Sequence, residues 1–350
     1  MPPERHRRAR LRDVAERAGV SVGSASNAFG RPELVSEDVR RRVLAAASDL
    51  GYAGPDPSAR RLRLGRAGAL GVIFSERLRY QFTDPMALPL FSGLAAGMED
   101  SNLGLLLLPD TRFREAAAKG VRSAAVDGFV IYSVVHNDPR VVAALARNVP
   151  AVTIDQPRDG PTPFVGIDDR AAAGSAAQHI RGLGHERVGV LSFPTSIDPE
   201  GKLALDLSVA RLEGYRDGLG PAWDESAIRT VRRNDVRHAR RAALDLLDAE
   251  TPPTAILAMS DVLALGVLQA AAERGLGVPT DVSVVGFDDN PTAAFTTPAL
   301  TTVAQPHEEK GRLAAEWLIE AIESGAARAE PRHVLLPTEL VVRQSTAPPR

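Results

Sequence analysis

Two adjacent carboxylate pairs, Asp168-Asp169 and Asp288-Asp289, and the polar residues that close apolar runs, Asp155, Ser260 and Asp261, are the residues of this chain best placed to do chemistry. Paired acid–base catalysis needs two carboxyl groups that converge on one reacting bond, whereas sequence neighbours suit helix caps and contacts to ligand hydroxyls. The capping reading is strongest for Asp261, which starts a helix, and weakest for Asp288, which directly follows the apolar run "VSVVGF". The histidines (His6, His136, His179, His185, His238, His307 and His333) show no metal-ligand spacing. "GLGHER" lacks the third glycine of a dinucleotide loop and precedes a strand instead of following one, so it reads as a helix-ending turn, and no Walker-type loop is present. No catalytic constellation emerges. The chain is therefore read as a non-enzyme with no cofactor and no metal.

The elements that must position these residues change character along the chain. From Ala69 onward, continuous apolar strands ("ALGVIF", "LGLLLL", "GFVIY", "AVTI", "RVGVLS", "AILAM", "VSVVGF") alternate with helical stretches near 90–100, 139–147, 169–183, 236–248, 261–274 and 307–323. Such strands imply parallel sheets covered on both faces. That part of the chain is too long for one core of ordinary size, which predicts two α/β lobes. Before it, Leu11, Val14, Ala15 and Ala18 recur at helical spacing, Gly19 can turn the chain, and Ser21 can cap a second helix through Ala25 and Phe29. Ser36 caps a third, with Val39, Val43, Leu44, Ala47 and Leu50 on one face and Gly51 as its stop. This is the layout of a helix-turn-helix, which also occurs in cores that never meet DNA. Between the two parts, "AGPDPSARRLRLGRAG" reads as a basic linker started by prolines.

Charge separates the same two parts. Residues 1–66 carry a net +6 and the remainder −8, although the whole chain is only −2. A basic end is the footprint expected of phosphate contact, and a solvated charged surface is the plainer explanation. With 44% hydrophobic and 25% charged residues the composition is that of a globular protein. No run approaches the ~18 apolar residues of a membrane span, the start lacks the apolar stretch of a secretory signal, and the chain has no cysteine. Cytoplasmic localisation without membrane contact is the expectation.

In this order, "LRDVAERAGVSVGSASNAF", "VSEDVRRRVLAAASDLGY", "PSARRLRLGRAGALGVIF", "HIRGLGHERVGVLS", "ARLEGYRDGL", "PTAILAMSDVLALGVLQAAAERGLGVPTDVSVVGFDD" and "PALTTVAQPHEEKGRLAAEWL" resemble the lac repressor (LacI/GalR) family of bacterial transcription regulators over nearly the whole chain. The resemblance implies an α/β protein with an N-terminal three-helix head and a two-lobed domain like periplasmic sugar-binding proteins. It divides the chain into a DNA-binding head (1–54), a hinge helix (55–66) and an effector and dimerisation domain (67–346). The first lobe is expected over about 67–166 and 297–324, and the second over about 167–290 and 327–346. Implied partners are double-stranded operator DNA, a small polar effector such as a sugar, and a second copy of the chain, as a dimer or a tetramer. The α/β part taken alone would equally suit a solute-binding protein of a transport system, which the basic head opposes.

Residue by residue, the resemblance places the second helix in the major groove. Val22 and Gly23 then face DNA first, with Asn27 one turn on. Val22 suits a thymine methyl, Asn27 the N6/N7 edge of adenine, and Ser24 and Ser26 phosphates, where relatives commonly carry Thr-Val-Ser-Arg. In the hinge, Leu62 aligns with a leucine that wedges into the minor groove, with Ser58, small Ala59, Arg60 and Arg61 beside it, while Asp56 replaces a usual asparagine. Ligands of two-lobed folds bind at strand ends between lobes. Asp288, Arg211, Asp155, Ser260 and Asp261 are expected there, with Tyr80, Phe82 and Asp84 covering the ligand from the first lobe.

Overall fold

The computed structural model describes residues 9–54, 66–75, 77–110, 114–135, 137–195, 206–328 and 331–350. Chain packing divides the protein into two units, Met1–Gly68 and Ala69–Arg350. In the first, α1 (Leu11–Ala18), α2 (Val22–Gly30) and α3 (Glu37–Asp49) enclose a small core in which Val14, Ala25 and Val43 are fully buried. Gly19 leaves α1 with φ +65°, the left-handed conformation that ends helices at least cost in glycine. Ser21 Oγ then accepts the Ser24 N–H at 3.0 Å and Ser36 Oγ the Val39 N–H at 3.3 Å, which caps the next two helices. Leu44 and Leu50, predicted on the buried face of the third helix, are instead 42% and 37% exposed. Leu44 sits about 100° round the helix from Val43, and Leu50 lies past the helix end, so Ala46 joins the expected Val43 and Ala47 in the core.

The second unit is two parallel sheets. The first lobe runs β1 (Ala69–Phe74), α4 (Leu78–Gln81), α5 (Ala87–Gly97), β2 (Gly104–Leu108), α6 (Arg114–Ser123), β3 (Gly128–Tyr132), α7 (Pro139–Leu145), β4 (Ala151–Ile154) and β5 (Phe164–Ile167). The second runs α8 (Asp169–Gly182), β6 (Val188–Ser192), α9 (Asp206–Leu219), β7 (Ile228–Thr230), α10 (Val236–Leu247), β8 (Ala255–Ala258), α11 (Asp261–Glu273) and β9 (Ser283–Val285). There follow β10 (Thr302–Ala304), α12 (His307–Glu323), β11 (His333–Leu336) and β12 (Glu339–Val341). The first sheet has the order β11-β5-β4-β3-β1-β2 and the second β7-β6-β8-β9, every pairing parallel, while β10 and β12 form a short antiparallel ribbon. Every residue of β3, β4, β6 and β8 is buried, as strands covered on both faces require.

The lobe bounds expected from the sequence put crossings at about 290–297 and 324–327, and both lie elsewhere. Thr301 and Ala304 bridge to Val285 and Asp288, so the chain stays with the second lobe through β10 and leaves it only before α12. Beyond α12, β11 pairs with β5 in the first sheet from His333↔Phe164 to Leu336↔Ile167. Gly325, with φ +72°, terminates α12 without sending the chain across, and the crossing follows Leu336.

Backbone contact without intervening side chains sets the helix layer. A Cβ on Gly93 of α5 would stand 1.8 Å from the Glu308 carbonyl oxygen of α12, and one on Gly214 of α9 would stand 2.1 Å from the Arg170 carbonyl oxygen of α8. Backbone cannot yield as a flexible side chain does. Gly93→Ala is therefore expected to cost about 1–3 kcal/mol or more, seen as a lowered urea midpoint with the slope unchanged.

Candidate functional site

The head offers one surface. Val22 is 47% exposed and Gly23 is exposed beside it, while Ser24, Ser26 and Asn27 are half-buried on the same helix. A side chain at Gly23 would meet only Ser21 Oγ at 3.7 Å, so packing within the head does not demand glycine there. Ser24 Oγ shares a 2.9 Å hydrogen bond with Ser21 Oγ, which ties its hydroxyl to the helix cap. Ala25 and Ala28 anchor the opposite face in the core. The expected hinge contacts Ser58, Ala59, Arg60, Arg61 and Leu62, with Asp56, lie outside the described residues.

In the second unit the strand ends hold a chain of buried polar groups. Asp288, one residue past Phe287 and at φ +114°, accepts from Gln305 Nε2 at 2.6 Å. The Oε1 of Gln305 accepts from Lys310 Nζ at 2.6 Å, and the same ammonium donates to Asp155 Oδ1 at 2.6 Å. This chain links β4 of the first lobe, the crossing into α12, and the end of β9 in the second. Arg211, on α9, donates to Asp169 Oδ1 at 2.8 Å and to the Met259 carbonyl at 2.7 Å. Its guanidinium lies 3.7 Å over the Phe287 ring and 3.8 Å from Asp288. Only a residue fixed on so many sides keeps a buried guanidinium in one orientation.

Charge in this region follows from burial. Burial lifts the carboxyl groups of Asp288 and Asp169 above the usual range, against the opposing pull of Arg211. Tyr132, which ends β3, is held well above its ordinary value first by burial and then by Asp84, Asp155, Asp288 and Tyr80. Its hydroxyl stays protonated. Tyr80, Asp84, Asp155, Asp288 and Arg211 thus come to one region, whereas Phe82 is 72% exposed.

Other expected ligand residues are committed to the frame. Asp261 is fully buried, and its two oxygens accept from Thr302 Oγ1 at 2.5 Å and the Asn290 N–H at 2.7 Å. Both are engaged within the protein, so Asp261 locks the crossing segments and has no oxygen left for an effector. Ser260 Oγ caps α11 through the Leu263 N–H and donates to Asn234 Oδ1 at 2.7 Å. The Asp155 carboxylate is engaged by Lys310. Sequence reasoning missed Lys310, Gln305, His307 and Tyr132. The strand-end rule that selected Asp155 also reaches Tyr132, at the end of "GFVIY"; nothing in "QPHEEKG" marked a buried lysine.

Asp261 gives a pH signature. Burial, chiefly, pushes its carboxyl up to about 7, against the bonds from Thr302 and Asn290, from an unfolded value of about 3.9. Between those values the folded chain holds a proton that the unfolded chain has released. This contribution to stability is full below about pH 4 and is lost as pH rises through about 7, with a slope of up to about 1.4 kcal/mol per pH unit. Asp261→Asn, whose amide can accept from Asn290 N–H and donate to Thr302, is expected to flatten that fall in urea titrations at pH 5 and 7.5.

Among the described residues, no helix is long and apolar enough to cross a membrane and no cluster of histidine and carboxylate side chains is placed to hold a metal. Residues 10–54 match the family model for bacterial regulatory proteins of the lacI family, and residues 177–346 match the periplasmic binding protein-like domain. An HTH-type transcriptional regulator of Mycobacterium tuberculosis is 38% identical over the full length of both chains. The lac repressor dimer bound to operator and an anti-inducer superposes with a TM-score of 0.79, with 25% identity over 97% of this chain and 100% of that one. A transcriptional regulator CelR–cellobiose complex gives a TM-score of 0.71 with 28% identity, again over 97% and 100%. The match over residues 10–54 sets aside a transport solute-binding protein. A helix-turn-helix head followed by a two-lobed α/β domain, with relatives of the same length and order, places the chain in the lacI family of bacterial regulatory proteins: it is a DNA-binding transcriptional regulator and not an enzyme.

Proposed function

We propose that this regulator is a cytoplasmic repressor that binds a palindromic operator as a homodimer, and that a small polar effector, a sugar or sugar derivative, held between the lobes controls its affinity. The observation that carries the effector half is the chain of hydrogen bonds from Asp155 in the first lobe through Lys310 and Gln305 to Asp288 in the second, where Asp288 stands 3.8 Å from Arg211 and Arg211 bonds Asp169. Asp288 and Arg211 offer an acceptor and donors to ligand hydroxyls, Tyr80 and Asp84 cover them, and Phe82, exposed without ligand, folds over them only when ligand is bound. Asp155, Ser260 and Asp261 hold the frame. Residues 1–54 serve as the DNA-reading head, 55–66 as the hinge, and 67–346 as the effector and dimerisation domain.

One recognition helix reads too few bases for specificity, and two on a twofold axis read a palindrome. The exposed edge strand β2, where Leu105 and Leu106 are each 37% accessible, is a surface that proteins ordinarily cover. A second copy of the chain fits that need. In each head Val22 contacts a thymine methyl, Asn27 an adenine edge, and Ser24 and Ser26 phosphates; Leu62 wedges the centre of the site, with Ser58, Arg60 and Arg61 on its backbone. The effector changes the angle between lobes and so the spacing of the two hinges, which couples the sites reciprocally. The lac repressor–operator complex and the CelR–cellobiose complex support both halves by analogy.

Asp288→Asn tests the reading. Asparagine tolerates positive φ, so the exchange removes the charge and spares the backbone. Gel shifts with operator DNA, titrated with ribose, cellobiose, hexoses and nucleosides as probes, are expected to show ligand response weakened about 10–100-fold while binding without ligand persists. An unchanged response would remove the effector from this cleft.

A further inference from the structure

Asp288 presents its carboxylate from a turn that an L residue seldom adopts. Its φ is +114° and that of Asp289 is +52°, in the region that favours glycine. Such backbone persists only where its surroundings hold it from several sides. The Asp288 N–H donates to the Val303 carbonyl at 2.8 Å, and beyond the turn the Asn290 N–H donates to Asp261 at 2.7 Å. Between them, the Asp289 N–H reaches the Thr302 hydroxyl only at 3.4 Å. The turn is thus tied firmly at both ends and loosely through the backbone of its middle residue.

That middle residue is held by its side chain instead. Arg343 Nη1 stands 2.8 Å from Asp289 Oδ1. The same nitrogen donates to the Leu300 carbonyl at 2.8 Å, and the Arg343 N–H donates to the Thr301 hydroxyl at 2.9 Å. Arg343 lies two residues past β12, which pairs with β10 from Thr302↔Val341 to Ala304↔Glu339. β10 in turn runs beside the turn, through the bridges Val285↔Thr301 and Asp288↔Ala304. Three stretches of chain therefore lie side by side, and the guanidinium spans the middle one to reach the end of the first. Two residues on, Ser345 is fully buried: its Oγ accepts the Thr301 N–H at 2.8 Å and donates to the Val284 carbonyl at 2.6 Å, which fastens this segment to the second sheet. The side chains of Arg343 and Asp289 are only 18% and 25% exposed, so water screens their attraction less than it would a surface pair.

We infer that Arg343 is a positioning residue for the effector: by holding Asp289 it fixes the turn from which Asp288 meets the ligand, and it sets ligand affinity without touching the ligand. This rests on the cleft reading above and adds to it a residue that no strand end marks. Asp289, met by Arg343, serves as the anchor, while its neighbour Asp288 faces Arg211 at 3.8 Å. An acceptor for one hydroxyl has to be held within about 0.5 Å of its productive place. With the anchor gone, the turn is free to relax toward commoner backbone, and a ligand must spend part of its binding energy on re-forming it.

Titration calorimetry on the full-length chain tests this with ribose, glucose, cellobiose and adenosine as probes. Arg343→Gln and Asp289→Asn are each expected to bind the probe that wild type binds about tenfold more weakly. Asparagine tolerates positive φ, so the second exchange removes the ion pair and spares the backbone. Combined, the two should cost no more than about twofold beyond either alone, since both remove one contact. Arg343→Lys, which keeps the charge, should retain part of the affinity. In an Asp288→Asn background Arg343→Gln should cost no more than about twofold further, because the carboxylate it positions is gone. An arginine that merely supports the fold would weaken both backgrounds alike, and that result overturns the inference. Hydrogen exchange without any probe gives a second readout: the amides of residues 288–290 should lose protection in Arg343→Gln while those of β6 and β8 keep theirs. Unchanged protection at 288–290 overturns the inference, as does unchanged affinity in Arg343→Gln and Asp289→Asn where Asp288→Asn weakens binding. Probes that bind wild type and Asp288→Asn equally, or no binding by any probe, overturn the cleft reading together with it.

Discussion

A chain that begins at Ala67 is expected to keep its fold and its ligand binding and to bind operator-length DNA roughly a thousandfold or more weakly than the full-length protein. The fold persists because the two units have separate cores: Val14, Ala25 and Val43 belong to the head, and among the described residues none before Ala69 enters the clusters of the α/β unit. The DNA term falls because the charge is divided so unequally. Residues 1–66 carry +6, and the rest, at −8, repels a phosphate backbone. Each phosphate neutralised by an arginine releases counterions, so full-length binding should weaken steeply with salt. Fluorescence anisotropy at two salt concentrations measures both quantities. Tight, salt-sensitive binding by the truncated chain would place the DNA contact outside the head.

The α/β architecture was legible because buried parallel strands announce themselves as unbroken apolar runs. "GFVIY", "AVTI" and "AILAM" lie within a residue of the observed strands β3, β4 and β8. What escaped was short or compositionally mixed. β5, β7, β10, β11 and β12 span only 3–4 residues each, and β11 alternates exposed and half-buried positions as a sheet edge does. Without β10 and β11, both later crossings slid to the nearest turn residues. The helix α9 escaped for a different reason. Its Gly214 and Gly218 let it lie against the backbone of α8, and its buried Arg211 replaces an apolar residue, so no apolar stripe marks it.

Strand ends located the site and ranked its members only in part. Asp155, Asp261 and Asp288 all follow apolar strands, and sequence sets apart only Asp261, which starts a helix and so leans toward capping, from Asp288, which leans toward a ligand. Their roles diverge through partners far away in the chain: Thr302 is 41 residues from Asp261, and Lys310 is 155 from Asp155. Asp261 has both oxygens engaged by its partners, whereas Asp155 and Asp288 each accept on Oδ1, Asp155 from the Lys310 ammonium and Asp288 from the neutral Gln305 amide, and Asp288 also faces Arg211. In the head, by contrast, spacing sufficed, because Ser21, Gly19 and Ser36 act on residues within a few positions of themselves.

Asp155→Ala is expected to lower folding stability by about 3–5 kcal/mol. Lys310 Nζ is fully buried, and with Asp155 gone it would retain only the neutral Gln305 oxygen as a bonded partner. An ammonium in that position must either lose its proton or draw water inward, and both are unfavourable. The loss of a side chain that tolerates φ +65° adds a smaller strain, which Asp155→Asn separates from the charge effect. Asp155→Asn should therefore show most of the loss, and Asp155→Asn combined with Lys310→Met should regain most of it, because methionine fills similar space with no charge to match. Urea denaturation of wild type, both single variants and the double variant closes the cycle, and a coupling energy near zero would show that the pair is not what holds β4 to α12. If the coupling is large, the same four proteins also separate stability from response. Gln305 bonds both Lys310 and Asp288, so the uncharged double variant leaves Gln305 anchored on one side only, and its ligand affinity should fall even where its stability has been recovered.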